Sequence, residues 1–228
     1  MNSSILTKLL ILILIVISLV ISITIKNTFY SNQSKALIMQ IKKINLAIDE
    51  FTEKYHALPG DINNTMKFGL SGYNTDGNQD NNIKDSNGNI VMANSELVYF
   101  WHHLSNSKIL LEKYDGNEME MAKTGYTFPE SKIGNAGIVA FSDKNKTYLQ
   151  IGFSHSDSYR IYTKNETLTP NEAFLVDKKI DDQNPNKGLI FVAGGDSLNF
   201  LQNSICASND SYNINITKPS CQLIIELK

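Results

Sequence analysis

An uninterrupted stretch from about Leu9 to Tyr55 constrains the fold of this chain more than any other sequence feature. It contains no proline or glycine, so the whole stretch is compatible with one α-helix. Its first part, Leu9 to Ile25, consists almost entirely of leucine, isoleucine and valine. At 1.5 Å per residue this part covers about 26 Å, close to the hydrocarbon thickness of a bilayer. We therefore predict a transmembrane helix over residues 9–25, preceded by a short cytoplasmic N-terminus of residues 1–8.

A buried core helix and a cleaved secretory signal fit the apolar run less well than a membrane span does. A buried core helix would need a protein large enough to surround it, and no other segment is apolar enough to do so. A cleaved secretory signal would have a shorter apolar region, and no Ala-x-Ala-like cleavage site follows this one. We expect an uncleaved membrane anchor.

The second part of the stretch, residues 26–58, has an amphipathic pattern. Apolar residues recur at alternating spacings of four and three, which places them in one stripe along a helix. The first four residues of this stripe are the assembly surface that we predict: Leu37, Ile41, Ile44 and Ile48. The helix is expected to end in the segment 57–61, because Pro59 disfavours helical geometry at Leu58 and Gly60 allows a turn. This pattern predicts a spine helix that leaves the membrane with one side to bury.

The remaining residues, 59–228, are enough for one globular domain with its own core. The net charge of -2 and the scattered lysines give no basic patch, so we expect no nucleic-acid partner. The chain has two cysteines, Cys206 and Cys221, and we expect them to form a disulfide, with two free thiols or half of a metal site as the alternatives. A disulfide places this domain outside the cytoplasm. The lysines that follow the apolar run favour the opposite orientation, and we give the cysteines more weight.

A polar segment rich in Asn, Asp and Gly follows the predicted spine, up to about Asn94. The stretch Asp76–Ile83 places oxygen-bearing side chains at alternate positions, like the first eight positions of a calcium loop, with Asn81 where glycine is usual. The twelfth position is Asn87 instead of glutamate, so other residues would have to complete the site. The predicted ligands of calcium are Asp76, Asn78, Asp80, Asp85 and Glu96. An ordinary solvated turn is the alternative.

Downstream, the periodicity predicts helices and strands but no recognisable catalytic site. Helices are expected over Asn94–Leu111 and from Pro170 toward Ile180, the second opened by a capping box at Thr169. We expect His102 and His103 to be surface or half-buried side chains instead of metal ligands. The predicted strands are Ile138–Phe141, Tyr148–Phe153, Tyr159–Tyr162, Leu189–Ala193 and Gln222–Leu227. The triad residue types in Ser154–Asp157 are crowded on one loop, so we expect a tight turn and no enzyme.

Several of these pieces resemble a known protein family. The end of the predicted spine matches a Phe-x-x-x-Tyr-x-Ala-Leu-Pro-Gly-Asp signature, carried here by Phe51, Tyr55, Ala57, Leu58, Pro59, Gly60 and Asp61. The Asp/Asn/Gly loop, the segment around Trp101, and Leu168–Pro170 followed by Asp177–Asp182 are also similar. Together they resemble a prepilin-like branch of the type IV pilin and type II secretion pseudopilin superfamily. The resemblance covers residues 9–186.

The resemblance implies an α+β, pilin-like fold, in which the long N-terminal helix packs on a small antiparallel β-sheet domain. It also implies a structural or assembly role in a type IV pilus or type II secretion-type filament. The implied partners are other pilin-like subunits or membrane assembly proteins, together with the lipid bilayer. The implied location is the bacterial inner membrane, with a single span and the C-terminal domain in the periplasm or outside the cell. The alternative is a membrane-tethered extracytoplasmic binding domain that keeps the pilin fold without polymerising.

The N-terminus departs from the family pattern. The family's processing site, a glycine followed by Phe-Thr-Leu-x-Glu, is absent, and Asn2–Thr7 stands in its place. No acidic residue precedes Asp49. We therefore expect the protein to remain full length and membrane-bound, as a minor or degenerate pilin-like protein, with a misassigned start codon as the alternative.

Overall fold

A single helix, α1 (Ser3–Tyr55), runs from the apolar segment into the globular domain. The computed structural model describes residues 3–70, 75–84, 96–116, 124–134, 136–153, 166–193 and 205–227. In the apolar part of α1 the side chains remain about half exposed and none is buried by the described part of the chain, for example Leu14 at 58%. Among the described residues, α1 is the one helix that is long and apolar enough to cross a membrane. The predicted single helix is confirmed, and its end at Tyr55 coincides with a left-handed conformation at His56 (φ 54°).

The C-terminal part of α1 buries its apolar stripe in the domain's own core. Phe51 is fully buried and continues the row of side chains that we predicted as the assembly surface. That row is 0–6% exposed and consists of Leu37, Ile41, Ile44 and Ile48. The row belongs to the domain's hydrophobic core, and α1 contacts the two other α-helices in the described part of the chain. This corrects the sequence interpretation, because these four residues belong to the core and present no surface to another subunit.

The two other α-helices in the described ranges are short. Helix α2 (Glu96–Asn106) ends earlier than the predicted Leu111, because the chain turns back at Lys108 (φ 62°) and the Leu110 N–H donates to the Leu104 carbonyl. This turn buries the Leu110 side chain in the core. Helix α3 (Pro170–Ile180) begins at the predicted capping box, in which Thr169 and Glu172 satisfy each other's backbone amides.

Among the described residues, the main sheet has four strands: β1 (Gly137–Asp143), β2 (Lys146–Phe153), β3 (Ile190–Ala193) and β6 (Gln222–Glu226). They are antiparallel to their neighbours and lie in the order β1-β2-β6-β3. The predicted hairpin between β1 and β2 is confirmed, and its two turn residues both adopt positive φ, as a type I′ turn requires. Strand β6 is central, because it pairs with β2 on one side and with β3 on the other. The fold class is therefore α+β.

A small hairpin of β4 (Ala207–Ser208) and β5 (Ser211–Tyr212) was not predicted. The disulfide between Cys206 and Cys221 joins this hairpin to the beginning of β6, which confirms the predicted pairing. The predicted strand Tyr159–Tyr162 and the loop Ser154–Asp157 lie outside the described residues.

Candidate functional site

Three carboxylates converge just beyond the end of α1. Oxygen atoms of Asp61, Asp80 and Glu96 all lie within 4.8 Å of one another. Asp61 and Glu96 are 1% and 6% exposed, whereas Asp80 faces solvent. We call this group the acidic cluster. Sequence analysis placed Asp80 and Glu96 in one site, but it treated Asp61 only as part of the family signature.

The two buried carboxylates hold the loop 75–84 through its backbone amides. Asp61 accepts hydrogen bonds from the Asp80 and Asn81 amides (3.0 and 2.8 Å). Glu96 accepts from the Asn78 and Lys84 amides, both at 3.0 Å. Each carboxylate therefore uses both oxygens to order the loop. Because a carboxylate oxygen has a second lone pair, these bonds leave acceptor capacity for a cation.

The loop 75–84 has left-handed backbone conformations at alternate positions. Gln79 and Asn81 both have φ values of 61°, which lie in the left-handed region. Between them, Asn78 Oδ1 accepts from the Asp80 amide and Asp80 Oδ1 accepts from the Asn82 amide, each at 2.8 Å. The Asn82 Oδ1 atom is buried and has no hydrogen-bond partner in the described part of the chain.

The predicted ligand set is only partly assembled. Asp76 lies outside the cluster, because its carboxylate accepts from the amide and hydroxyl of Thr65 (2.7 and 2.6 Å) and anchors the short 3-10 helix Thr65–Phe68. These hydrogen bonds lower the pKa of Asp76. The side chain of Asn78 supports the loop's own backbone. Asp85 lies outside the described residues.

Two glycines allow the segments of the site to approach each other. Gly60 has φ 90°, and a Cβ atom there would lie 2.4 Å from the carbonyl oxygen of Glu96. A Cβ at Gly77 would lie 2.3 Å from the Gly60 carbonyl oxygen. These distances are too short for any other residue without movement of the backbone. The site is therefore built where the end of the spine, the loop and the start of α2 meet.

Burial and repulsion between carboxylates raise the pKa of the two buried members of the acidic cluster. Desolvation is the main cause that raises the pKa of Glu96 to about 7, and the charges of Asp61 and Asp80 add to it. Burial also raises the pKa of Asp61, against the opposing effect of its backbone hydrogen bonds. A cation at this place would favour the ionised form of both groups.

His103 connects the end of the spine to the loop. It is fully buried, its Nδ1 accepts from the Gly60 amide (2.9 Å) and its Nε2 lies 2.9 Å from the Thr75 carbonyl oxygen. This pairing requires the neutral ring with the proton on Nε2. His102 is also buried, with Nδ1 3.0 Å from the Tyr114 carbonyl oxygen. The prediction of surface or half-buried histidines is therefore wrong, because both rings satisfy backbone groups inside the domain.

We expect the neutral state of His103 to make stability depend on pH. Burial lowers its pKa to about 3, far below the 6.5 of an exposed ring, so the unfolded chain binds the extra proton between these values. The contribution of His103 is therefore complete above pH 6.5 and is lost as the pH falls, by about 1.4 kcal/mol per pH unit at most. Glu96 acts in the opposite direction, because its raised pKa favours folding as the pH falls from about 7.

The two contributions can be separated with His103→Gln. We expect the variant to be less stable than the wild type at pH 7, but to lose less stability on acidification. The slopes of unfolding free energy against pH, from urea titrations between pH 4.5 and 6.5 with chelator present, should differ by up to about 1.4 kcal/mol per pH unit, with the largest difference at the acidic end. Parallel slopes would show that the folded protein accommodates a charged ring.

A second group of carboxylates lies at the end of α3. Asp177 is fully buried and accepts a 2.7 Å hydrogen bond from the Tyr212 hydroxyl, which joins α3 to the small hairpin. Asp181 accepts from the amides of Leu189 and Ile190, and Asp182 accepts from the Asn184 amide. These carboxylates lie within 4.8 Å of one another, and their hydrogen bonds account for them as supports of the turn before β3.

Known proteins offer no assignment of this site. No known protein family, curated protein or solved structure matches the chain. The residues of the sequence signature nevertheless have identifiable structural roles. Asp61 binds the loop, Gly60 lets Glu96 approach, and Pro59 is buried. Trp101 is a fully buried core residue whose ring contacts Phe100 and Tyr114 edge to face.

Proposed function

We propose that this protein is a pilin-like membrane protein with a structural or assembly role in a filament of the type IV pilus or type II secretion type. The observation that carries the proposal is the division of α1 into two parts. Its first part is apolar and exposed on all sides, and its second part is fixed in the core of an α+β domain. A continuous helix of this kind connects a membrane to a folded domain without a flexible linker.

The local chemistry supports an extracytoplasmic domain and a rigid spine. The disulfide between Cys206 and Cys221 fits an oxidising compartment such as the periplasm or the cell exterior. Within the apolar part of α1, the hydroxyls of Ser18 and Thr24 bond to carbonyls of the same helix. These hydroxyls therefore need no further hydrogen-bond partner when the helix lies in a bilayer. Pilin-like subunits and membrane assembly proteins are the partners that we propose.

Crosslinking from the apolar part of α1 tests this proposal. A photo-crosslinker is placed at Ile13 or Val20, two exposed positions on one side of the helix, in the full-length protein in its native membrane. Adducts with other single-span proteins, or with further copies of this chain, would support an assembly role. A crosslinker at Met66, exposed in the globular domain, serves as the control. Labelling of lipid alone from Ile13 and Val20 would favour the alternative, a tethered domain that does not polymerise.

We further propose that the acidic cluster binds calcium and so fixes the loop to the end of the spine. Oxygen ligands lie about 2.3–2.6 Å from calcium, so two ligands of one ion are at most about 5 Å apart. The spacing of Asp61, Asp80 and Glu96 meets this limit. The buried Asn82 Oδ1, on the same loop, is an oxygen without a partner among the described residues. An ion would also relieve the repulsion among the three carboxylates.

Calcium is expected to stabilise the full-length protein in detergent. Three carboxylates that already accept backbone hydrogen bonds should give weak binding, with a Kd of about 0.1–1 mM. Free calcium at about ten times Kd should then add about 1.4 kcal/mol to the unfolding free energy. The measurement is thermal unfolding in chelator and in 10 mM calcium.

Two variants of the same loop make the calcium test specific. Asp80→Asn should abolish the calcium-induced shift, while its Oδ1 can still accept from the Asn82 amide. Asp76→Asn should lower the baseline stability but keep the shift, because Asp76 binds Thr65 outside the cluster. If the wild type melts at the same temperature in chelator and in calcium, the cluster does not bind calcium. If Asp76→Asn also loses the calcium-induced shift, Asp76 is a ligand, as predicted from the sequence.

A further inference from the structure

A short turn beside the end of the spine exposes two large apolar side chains. The 3-10 helix Thr65–Phe68 carries Met66, which is 80% exposed, and Phe68, which is 42% exposed. Single exposed apolar residues are common on protein surfaces. Here two of them lie two residues apart on one short element, and neither belongs to the hydrophobic core that the described residues form. We call residues 66–69 the distal turn.

The distal turn stands on a fixed base. Thr65 is 2% exposed, and its amide and hydroxyl donate to the Asp76 carboxylate (2.7 and 2.6 Å). On the other side of the turn, Leu70 is 1% exposed, and its amide donates to the Thr65 carbonyl (3.0 Å). The turn itself protrudes, because a Cβ atom on Gly69 would meet no heavy atom of the described chain within 4 Å. The exposed apolar side chains are therefore held away from the core by an ordered backbone.

The distal turn lies at the end of α1 that is farthest from the apolar part. The ring of Phe68 contacts the ring of Tyr55, the last residue of α1, edge to face at 5.7 Å between centroids. Thirty helical residues separate Tyr55 from Ile25, the predicted end of the membrane span, which corresponds to about 45 Å. Because α1 is unbroken, it maintains this separation. When α1 is anchored in a membrane, the distal turn lies well outside that membrane.

The exposed charges around the distal turn are basic. In the segment 54–70 the exposed charged residues are Lys54 and Lys67, and the single acidic residue, Asp61, is 1% exposed. Each lysine lies over the aromatic ring of the next residue, with its Nζ 4.9 and 5.7 Å from the ring centroid. Glu53 lies on the opposite side of α1 from the tyrosine that the turn contacts, because the two are two residues apart in the helix. Apolar and aromatic side chains beside lysines are typical of segments that enter a lipid–water interface.

We propose that the distal turn inserts into the headgroup region of an anionic bilayer other than the one that holds α1. Met66 and Phe68 enter the boundary between headgroups and acyl chains, and the two lysines contact lipid phosphates. A lipid surface fits a protruding turn because it deforms around it, whereas a protein partner would need a matching cavity. The inference uses the membrane anchor of the proposed function but does not require a filament. Its consequence is a weak, reversible bridge between two lipid surfaces.

Co-sedimentation with vesicles tests this inference on the full-length protein. The protein is embedded through α1 in nanodiscs of phosphatidylcholine, and sucrose-loaded vesicles with about one third phosphatidylglycerol are added with chelator present. Each lysine near an anionic surface strengthens binding about fivefold, and Asp76 at the base of the turn offsets one of the two lysines. Binding should therefore be about fivefold stronger than to vesicles of phosphatidylcholine alone. High salt should remove this difference.

A pair of substitutions assigns the binding to the distal turn. Met66→Ser with Lys67→Glu should abolish sedimentation with the anionic vesicles. Both side chains are exposed, so the fold should be retained, and thermal unfolding checks this. Leu111→Ser with Lys113→Glu is the matched control, because it makes the same two changes at exposed positions elsewhere in the domain. The control pair should leave the sedimented fraction unchanged.

A fluorophore on the turn distinguishes insertion from adsorption. The native cysteines are paired, so Met66→Cys supplies the only free thiol for a nitrobenzoxadiazole label. With anionic vesicles the emission of the label should increase and shift to the blue, and lipids brominated on their acyl chains should quench it. A label that remains in water would overturn the inference.

Three further outcomes would also overturn the insertion of the turn into lipid. These are equal binding to both kinds of vesicle, binding that survives Met66→Ser with Lys67→Glu, and protein adducts of a Met66 photo-crosslinker without any vesicle binding. The last outcome would identify a protein as the occupant. None of them affects the proposed function, because crosslinks from Ile13 and Val20 test that function separately.

Discussion

Replacing Phe51 with alanine is expected to lower the free energy of unfolding by about 3–5 kcal/mol. The side chain is fully buried, and its ring lies 4.5 Å from that of Tyr55 and stacks on His103 at 6.2 Å, measured between ring centroids. Truncation would leave a cavity where the spine meets α2. It would also remove the ring that supports His103 beside Gly60. Urea denaturation of the full-length protein in detergent, followed by the fluorescence of Trp101, measures the loss.

Leu46→Ala is the matched control for Phe51→Ala. Leu46 lies on the opposite, exposed face of the same helix, so its truncation should change stability by no more than about 0.5 kcal/mol. Since alanine favours helices at least as well as leucine, helix propensity does not confound the comparison. A loss below about 1 kcal/mol for Phe51→Ala would mean that the spine is not an integral part of the domain core.

The long helix was predictable from sequence because its signals are local. The absence of proline and glycine predicted one continuous helix, and Pro59 with Gly60 predicted its end. The hairpin of β1 and β2 and the capping box at Thr169 were also predictable, since each depends on a few adjacent residues. Features of this kind can be predicted without knowledge of the tertiary fold.

The role of the apolar stripe on the spine was not predictable from its pattern. Periodicity shows which side of a helix is apolar, but it does not show whether the same chain or another chain covers that side. The residues from Leu37 to Ile48 are covered by the chain's own domain. The exposed face around Met39 and Leu46 has no clear periodic signal, because charged residues surround both side chains.

The acidic cluster was predictable in part. A loop pattern identifies ligands that are close in sequence, so it included Asp76 and missed Asp61. Asp61 lies 19 residues from Asp80 in the chain, and the two meet where the loop approaches the end of the spine at Gly77. The Pro-Gly-Asp sequence after the spine was the one available signal, since a conformationally special glycine before a carboxylate suggests a constrained turn. The buried histidines were missed because nothing local predicts which carbonyl a ring will contact.

The second substitution with a large expected effect lies in the apolar part of α1. Arginines at Ile13 and Ile17 together are expected to release the protein from the membrane. Each arginine near the centre of a transmembrane helix costs about 2.5–3.5 kcal/mol, so the pair costs about 5–7 kcal/mol. Both side chains are about half exposed, 48% and 49%, and contact no other part of the described chain. The domain therefore cannot shelter the new charges, and the membrane alone has to accommodate them.

The measurement is the fraction of full-length protein that stays in the membrane pellet after alkaline carbonate extraction. Arginines at Met39 and Leu46 form the matched control, because they add the same two charges to exposed positions of the same helix outside the apolar part. The control pair should leave the pelleted fraction unchanged. A wild-type protein that is already extractable would contradict the membrane assignment, and a double-arginine variant that stays in the pellet would show that the domain binds the membrane independently of α1.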